Sequence, residues 1–245
     1  MVEAPSDLDV IELGKKILAW AEKEGRRPPW REFADPYRLA VAEILLQKTK
    51  ARDVEPIWEQ VVHRFSTPHA LADAKEEEVF TIVQPLGLGT QRTSRLKRMA
   101  AELATRGASS PLGGLGPYGQ AVIDLSGGRQ PSSIPVDGNV ARMISRYYGM
   151  KFDRGEPRKK PEVRAAVAQL LAHESSPLAK LKTLYGLVDL GDAVCKPRKP
   201  NCAVCPVAPA CQFAQTCARD VTNSRTAEAS ANARGGGTAS ETRRI

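Results

Sequence analysis

Apolar residues along this chain recur at three- and four-residue intervals, the spacing that gathers them on one face of an α-helix. Between Asp7 and Gly25, the positions Ile11, Leu13, Ile17, Leu18 and Trp20 predict a first helix. The run Arg26-Arg27-Pro28-Pro29-Trp30-Arg31 ends it, because proline lacks an amide donor and pushes the residue before it into extended backbone. A second helix is expected from Pro36 to Gln47. It is apolar on most sides and should be buried, yet Glu43 stands in its middle. Shorter amphipathic helices are expected within 54–65 and 70–83. A glycine turn, Leu86-Gly87-Leu88-Gly89, then leads into a helix over 93–104 whose Arg95, Lys97 and Arg98 form a solvated or phosphate-facing side. Two further helices are expected near 160–173 and 178–192. No stretch alternates long enough to predict a strand, so the expected fold class is all-α.

Composition narrows the partner. A chain of 245 residues can bury one or two cores, and a formal charge of +8 suits a polyanion. No apolar run approaches a membrane span and no charged-then-apolar leader follows Met1, so a cytoplasmic, nucleoid-associated protein with no membrane partner is expected. From Thr222 onward Ser, Thr, Ala, Gly and Arg predominate, and the tail over 218–245 is expected to be disordered. Four of the five cysteines, Cys195, Cys202, Cys205 and Cys211, are separated by six, two and five residues, with Cys217 left over. In a chain without a secretion signal this cluster reads as a metal site. Zinc and an iron–sulfur cluster both suit four thiolates on one loop.

Two motifs between Pro111 and Arg142 carry candidate chemistry. In Leu112-Gly113-Gly114-Leu115-Gly116-Pro117-Tyr118-Gly119, the glycines allow backbone amides to approach an anion, and Pro117 suits the first turn of a helix. Such a turn offers a phosphate a helix N-terminus. Asp137 follows Ile134-Pro135-Val136 and opens an amphipathic segment, Gly138-Asn139-Val140-Ala141-Arg142. Aspartate there suits an N-cap, and a lone carboxylate at a helix head can also face a substrate. Glu43, set in an apolar helix, should hold its proton more firmly than in water, as a general acid requires.

Taken in order, Pro29-Trp30-Arg31, Ala42-Glu43-Ile44-Leu45-Leu46-Gln47-Lys48-Thr49, Gly114-Leu115-Gly116-Pro117-Tyr118, Val136-Asp137-Gly138-Asn139-Val140 and the cysteine spacing resemble the helix-hairpin-helix DNA glycosylases that carry an iron–sulfur cluster, within the endonuclease III superfamily. The likeness is nearest to MutY-type and thymine-mismatch enzymes. It implies two helical domains with a DNA groove between them. One, over 33–133, is a central helical barrel with the hairpin; the other joins 1–32 to 134–217 and holds a 4Fe-4S cluster on Cys195, Cys202, Cys205 and Cys211.

The resemblance also implies roles. Asp137 matches the catalytic carboxylate that stabilises positive charge on the sugar or helps a water attack, with Asn139 beside it holding water or phosphate. Glu43 matches the acid that assists base departure in the adenine branch. Tyr118 stands where lyase-active relatives have a lysine; without an amine no Schiff base forms, which implies a monofunctional enzyme leaving an abasic site. Gln47 would fill the gap left by the flipped nucleotide. The amides of Gly114, Leu115 and Gly116 would hold a phosphate, and Arg31, Gln91, Lys196, Arg198 and Lys199 would add DNA contacts. The implied partner is double-stranded DNA with a mispaired or damaged base, bound by a monomer.

Three departures from the pattern matter. The segment from Arg106 to Leu112 is short for the family's first hairpin helix, so a truncated hairpin is expected. Gly113 and Gly119 loosen the motif. Thr90-Gln91 replaces tyrosines typical of the adenine branch and, with Val194-Cys195-Lys196-Pro197-Arg198-Lys199-Pro200, looks more like the thymine-mismatch branch. The favoured expectation is removal of thymine or uracil opposite guanine. Adenine opposite 8-oxoguanine or guanine is the alternative within the same chemistry, and a non-catalytic iron–sulfur DNA-binding protein is the alternative outside it.

Overall fold

The structure, a computed structural model, describes residues 7–32 and 35–217; the expected disordered tail lies outside the described residues. The described residues are built of α-helices and several short 3-10 turns, and among them there is no strand. No helix of the described residues is long and apolar enough to cross a membrane. The helices are α1 (Asp7–Glu24), α2 (Pro36–Leu45), α3 (Ala51–Arg64), α4 (Pro68–Asp73), α5 (Glu76–Val83), α6 (Gly89–Arg106), α7 (Pro117–Ser126), α8 (Gly138–Tyr147), α9 (Pro161–Ala172) and α10 (Pro177–Ala193).

The apolar faces close around two cores. One gathers Val10, Leu13 and Ile17 of α1 with Ile144 of α8, Val167 of α9 and Leu184 of α10. The other gathers Ile44 and Leu45 of α2 with Val61 of α3, Leu71 of α4, Val79 of α5 and Leu96 of α6. Trp30 belongs to this second core and meets Trp58 edge-on at 5.8 Å. Helix α7 serves both: Val122 and Leu125 enter the first core, whereas Ile123 enters the second. A helix whose successive residues are buried on opposite sides must lie at the seam.

Two boundaries differ from the periodicity, for one physical reason. Helix α2 stops at Leu45 rather than Gln47, and α6 begins at Gly89 rather than near 93. Between them sits Arg92, 2% exposed. Its guanidinium donates to the carbonyls of Ile44 (3.0 Å), Leu45 (2.7 Å), Gln47 (3.0 Å) and Gly87 (2.9 Å), and to Thr49 Oγ1 at 2.6 Å. The last carbonyls of a helix lack partners within it, and here an arginine from another helix supplies them. The chain turns away through Lys48 (φ 61°) on one side and through Gly87 (φ 75°) and Leu88 (φ 56°) on the other.

The expected truncation of the hairpin is present: residues 107–116 contain no helix. The glycine turn instead packs directly on α6. The amide of Gly113 donates to the Glu102 carboxylate, and a Cβ at Gly113 would lie 2.3 Å from Arg98 Nε. Gly114, at φ +88°, lies against the α6 backbone, where a Cβ would come within 2.9 Å of Arg95 Cβ. At Gly113 the crowding comes from flexible side chains that can shift, whereas at Gly114 it comes from the α6 backbone and Arg95 Cβ.

Arg92→Met keeps the apolar bulk and removes every donor, stranding buried carbonyls at about 2 kcal/mol or more. Urea unfolding followed by circular dichroism is expected to show that loss, with the slope unchanged.

Candidate active site

Asp137 is the N-cap of α8, its Oδ1 accepting from the amide of Val140 at 2.7 Å. The extended backbone before the helix, set by Pro135, brings this carboxylate out at the wall of an open groove. Opposite, α2 presents Glu43 and α7 presents Tyr118 at its first turn. Gly119 eases this approach, since a Cβ there would stand 3.3 Å from Glu43 Cβ, close enough that the neighbour would have to give by a few tenths of an ångström. The groove holds about 1210 Å³.

Desolvation sets the electrostatics. Burial pushes the Glu43 carboxyl up to about 7; nearby Asp137 pushes the same way and the Arg31 guanidinium opposes both. Burial also raises the Asp137 carboxyl, but the amides of Val140 and Asn139 and the charges of Arg142 and Arg26 work against it. Burial, then the charges of Glu43 and Asp137, drive the Tyr118 phenol well above its ordinary range, so it keeps its proton. Both carboxyls are thus raised by burial, but Asp137 has two amides and two arginines working against that rise where Glu43 has only Arg31, a pairing of unlike carboxyls suited to acid–base work.

The other expected residues divide into two groups. Asn139, Gln47, Arg31, Gly114, Leu115 and Gly116 all line the groove. Asn139 Oδ1 accepts from Arg142 Nη2 at 2.8 Å. Gln47 is bound to the hairpin, donating to Gly114 O at 2.9 Å and accepting from Arg95. The Leu115 amide closes its own turn on Leu112 O at 3.3 Å, so it points away from the role expected of it. Arg31 is committed inward: Nη1 and Nη2 reach Asp189 at 2.7 and 3.1 Å, and its guanidinium covers the Tyr185 ring at 4.0 Å. Gln91, Lys196, Arg198 and Lys199 are exposed and lie outside the groove lining.

Arg95 and Arg98, expected on a solvated or phosphate-facing side, border the groove. Lys48, Lys50, Arg52 and Arg158 border it too, and sequence reasoning did not single them out. The run Lys48-Thr49-Lys50-Ala51-Arg52 just past the Glu43 helix carried that signal. Arg158 comes from a 3-10 turn far along the chain, and only folding brings it to the field of Asp137. Tyr185, on α10, was also missed.

The four clustered cysteines are free of disulfides and line one small cavity with Arg146, Val207 and Phe213. Among the described residues, no three His, Cys, Asp or Glu side chains group tightly enough to hold a single metal ion. Two arginines of α8 hold the loop: Arg142 donates to Cys195 O and Gly191 O, both at 2.7 Å, and Arg146 donates to Lys196 O at 2.7 Å and Pro197 O at 2.9 Å. Arg146 also reaches Cys195 Sγ at 3.4 Å. Cys217 is exposed and stands apart from the cavity lining.

Residues 41–172 match the family model for the HhH-GPD superfamily base excision DNA repair proteins. A thymine/uracil-DNA glycosylase of Pyrobaculum aerophilum is 31% identical over 214 residues, spanning 83% of this chain and 92% of that protein. An adenine DNA glycosylase of Mycobacterium tuberculosis is 33% identical over 202 residues, 78% of this chain and 64% of that protein. A solved thermostable thymine-DNA glycosylase superposes with a TM-score of 0.74 at 26% identity, covering 86% of this chain and 99% of that one. The chain belongs to the HhH-GPD superfamily of base excision DNA repair proteins, the class of DNA glycosylase that its motifs implied.

Because the folded Glu43 titrates above its unfolded value, the fold loses stability as pH rises from the unfolded value through about 7. Glu43→Gln is therefore expected to melt higher than the parent at pH 8 and alike at pH 4, where both side chains are neutral. Thermal melts at the two pH values check this.

Proposed function

We propose that this protein is a monofunctional DNA N-glycosylase that extrudes thymine or uracil mispaired with guanine, hydrolyses its glycosidic bond and leaves an abasic site. The observation that carries the reading is the gathering of Glu43, Tyr118 and Asp137 in one groove with a cationic wall. The wall takes the phosphates, and free amides of the glycine turn add a neutral contact. With the target nucleotide rotated out, Asp137 faces the sugar and stabilises the charge that develops there, while Glu43 delivers a proton to the leaving base. Asn139, held by Arg142, orients the attacking water. Tyr118 brings a phenol, not an amine, to the position from which a covalent imine would form. The protein works as a monomer on duplex DNA in the cytoplasm, its two apolar cores corresponding to two lobes that flank the groove.

The cysteine cavity suits a 4Fe-4S cluster held by Cys195, Cys202, Cys205 and Cys211: four free thiols ring a mainly apolar hollow. Its contribution is structural order in the loop carrying Lys196, Arg198 and Lys199, which then meets the DNA backbone. A second reading, adenine opposite 8-oxoguanine or guanine, draws support from the similarity to the mycobacterial adenine glycosylase and from the protonated Glu43, which suits a leaving group that departs as a neutral purine.

Duplexes carrying G·T, G·U, A·8-oxoguanine and A·G, treated with alkali after incubation, are expected to break at the thymine or uracil. Asp137→Asn should lower single-turnover cleavage by about a thousandfold or more; full turnover would remove the catalytic assignment. Borohydride is expected to trap no covalent adduct. Purified protein is expected to absorb broadly in the visible, and Cys202→Ser to lose both that absorbance and DNA affinity.

A further inference from the structure

The Tyr185 hydroxyl is buried at the groove floor and has no hydrogen-bond partner among the described residues. An unpaired buried hydroxyl is costly, and each one that a fold keeps calls for an explanation. The ring cannot swing away to find one. It is stacked beneath Arg31 at 4.0 Å, and Arg31 is fixed by both oxygens of Asp189, one helical turn beyond Tyr185 on α10. The hydroxyl therefore stays beside the catalytic carboxyls: the charge of Glu43 reaches it, and it in turn influences Tyr118.

A second unpartnered atom belongs to the same stacked pair. Arg31 Nε is also buried without an acceptor, and it can only donate. Burial, with Glu43, holds the Tyr185 phenol in its protonated form, so it too donates. The floor beside Glu43 is thus short of acceptors rather than donors.

We infer that Tyr185 is a specificity-determining residue whose hydroxyl donates a hydrogen bond to a carbonyl oxygen of the extruded base, with the Arg31–Asp189 pair holding the ring in place. This rests on the reading of the groove as a base pocket, and it deepens that reading by naming the preferred base class. Uracil and thymine each present two carbonyl oxygens; adenine presents none, only an amino group and ring nitrogens. A floor with donors to spare favours the former.

Tyr185→Phe removes one oxygen and keeps the stacking. Single-turnover cleavage of G·U and G·T duplexes is expected to fall roughly tenfold or more, and any preference for uracil over adenine to narrow. Affinity for a duplex carrying a tetrahydrofuran abasic analogue, which has no base to contact, is expected to be unchanged, as is the melting temperature. Unchanged G·U and G·T rates in the variant would overturn the assignment, as would an equal loss of abasic-duplex affinity, which marks a structural role. Parent protein that cleaves adenine alone also overturns it, while leaving the glycosylase reading intact. Parent protein inactive on all four duplexes overturns the base-pocket reading itself.

Discussion

Asp189 ties this molecule together. Its side chain is 3% exposed and takes charge from two arginines, Arg26 and Arg31, which lie just past the end of α1. The carboxylate accepts from the Arg26 backbone at 2.9 Å and from its Nε at 2.8 Å, besides the two contacts from Arg31. A buried carboxylate is tolerable only when its oxygens are saturated in this way, and removing one partner of such a pair costs about 3–5 kcal/mol. The interaction anchors the Pro28–Arg31 segment to α10, and Trp30 on that segment belongs to the other core. The two cores are thereby fixed across the groove they border.

The chemistry follows from that fixation. With Arg31 drawn toward Asp189 and Tyr185, Glu43 has a cation near enough to moderate its titration, but burial outweighs it and Asp137 adds to the rise. Asp137 gains the amides of its own helix, which Glu43, set within α2, lacks. Two carboxylic acids of similar intrinsic acidity are both raised by burial, and position alone decides how many opposing groups each one has. Helix α8 extends the same economy of means. Its N-cap is Asp137, and its Arg142 and Arg146 hold the cysteine loop by its carbonyls. The order of that loop and the placement of Asp137 are therefore properties of one helix.

The short hairpin shows how a missing element is compensated. Without a first helix to carry it, the glycine turn is seated on α6 through Gly113 and Glu102 and is gripped from the other side by Gln47. Arg92 in turn holds the Gln47 loop from within α6. The two loops that border the cationic wall share a single support, so their spacing is rigid where a longer hairpin would supply its own.

Much of this was legible in the chain. Periodicity gave the helices because burial of one face at 3.6-residue intervals needs no long-range information, and Pro117 and Asp137 marked the starts of α7 and α8 because capping is a local preference. The cysteine spacing and the motifs around Glu43 and Asp137 announced the class of chemistry. Tertiary structure decided what depends on residues distant in sequence. Arg31, expected to meet DNA, turns to Asp189 some 158 positions away, and Arg92, just before the helix expected over 93–104, lies within α6 and caps another helix. The unsatisfied hydroxyl of Tyr185 has no sequence signature at all. Local preferences are written in neighbouring residues, whereas desolvation and charge pairing exist only once the chain has folded.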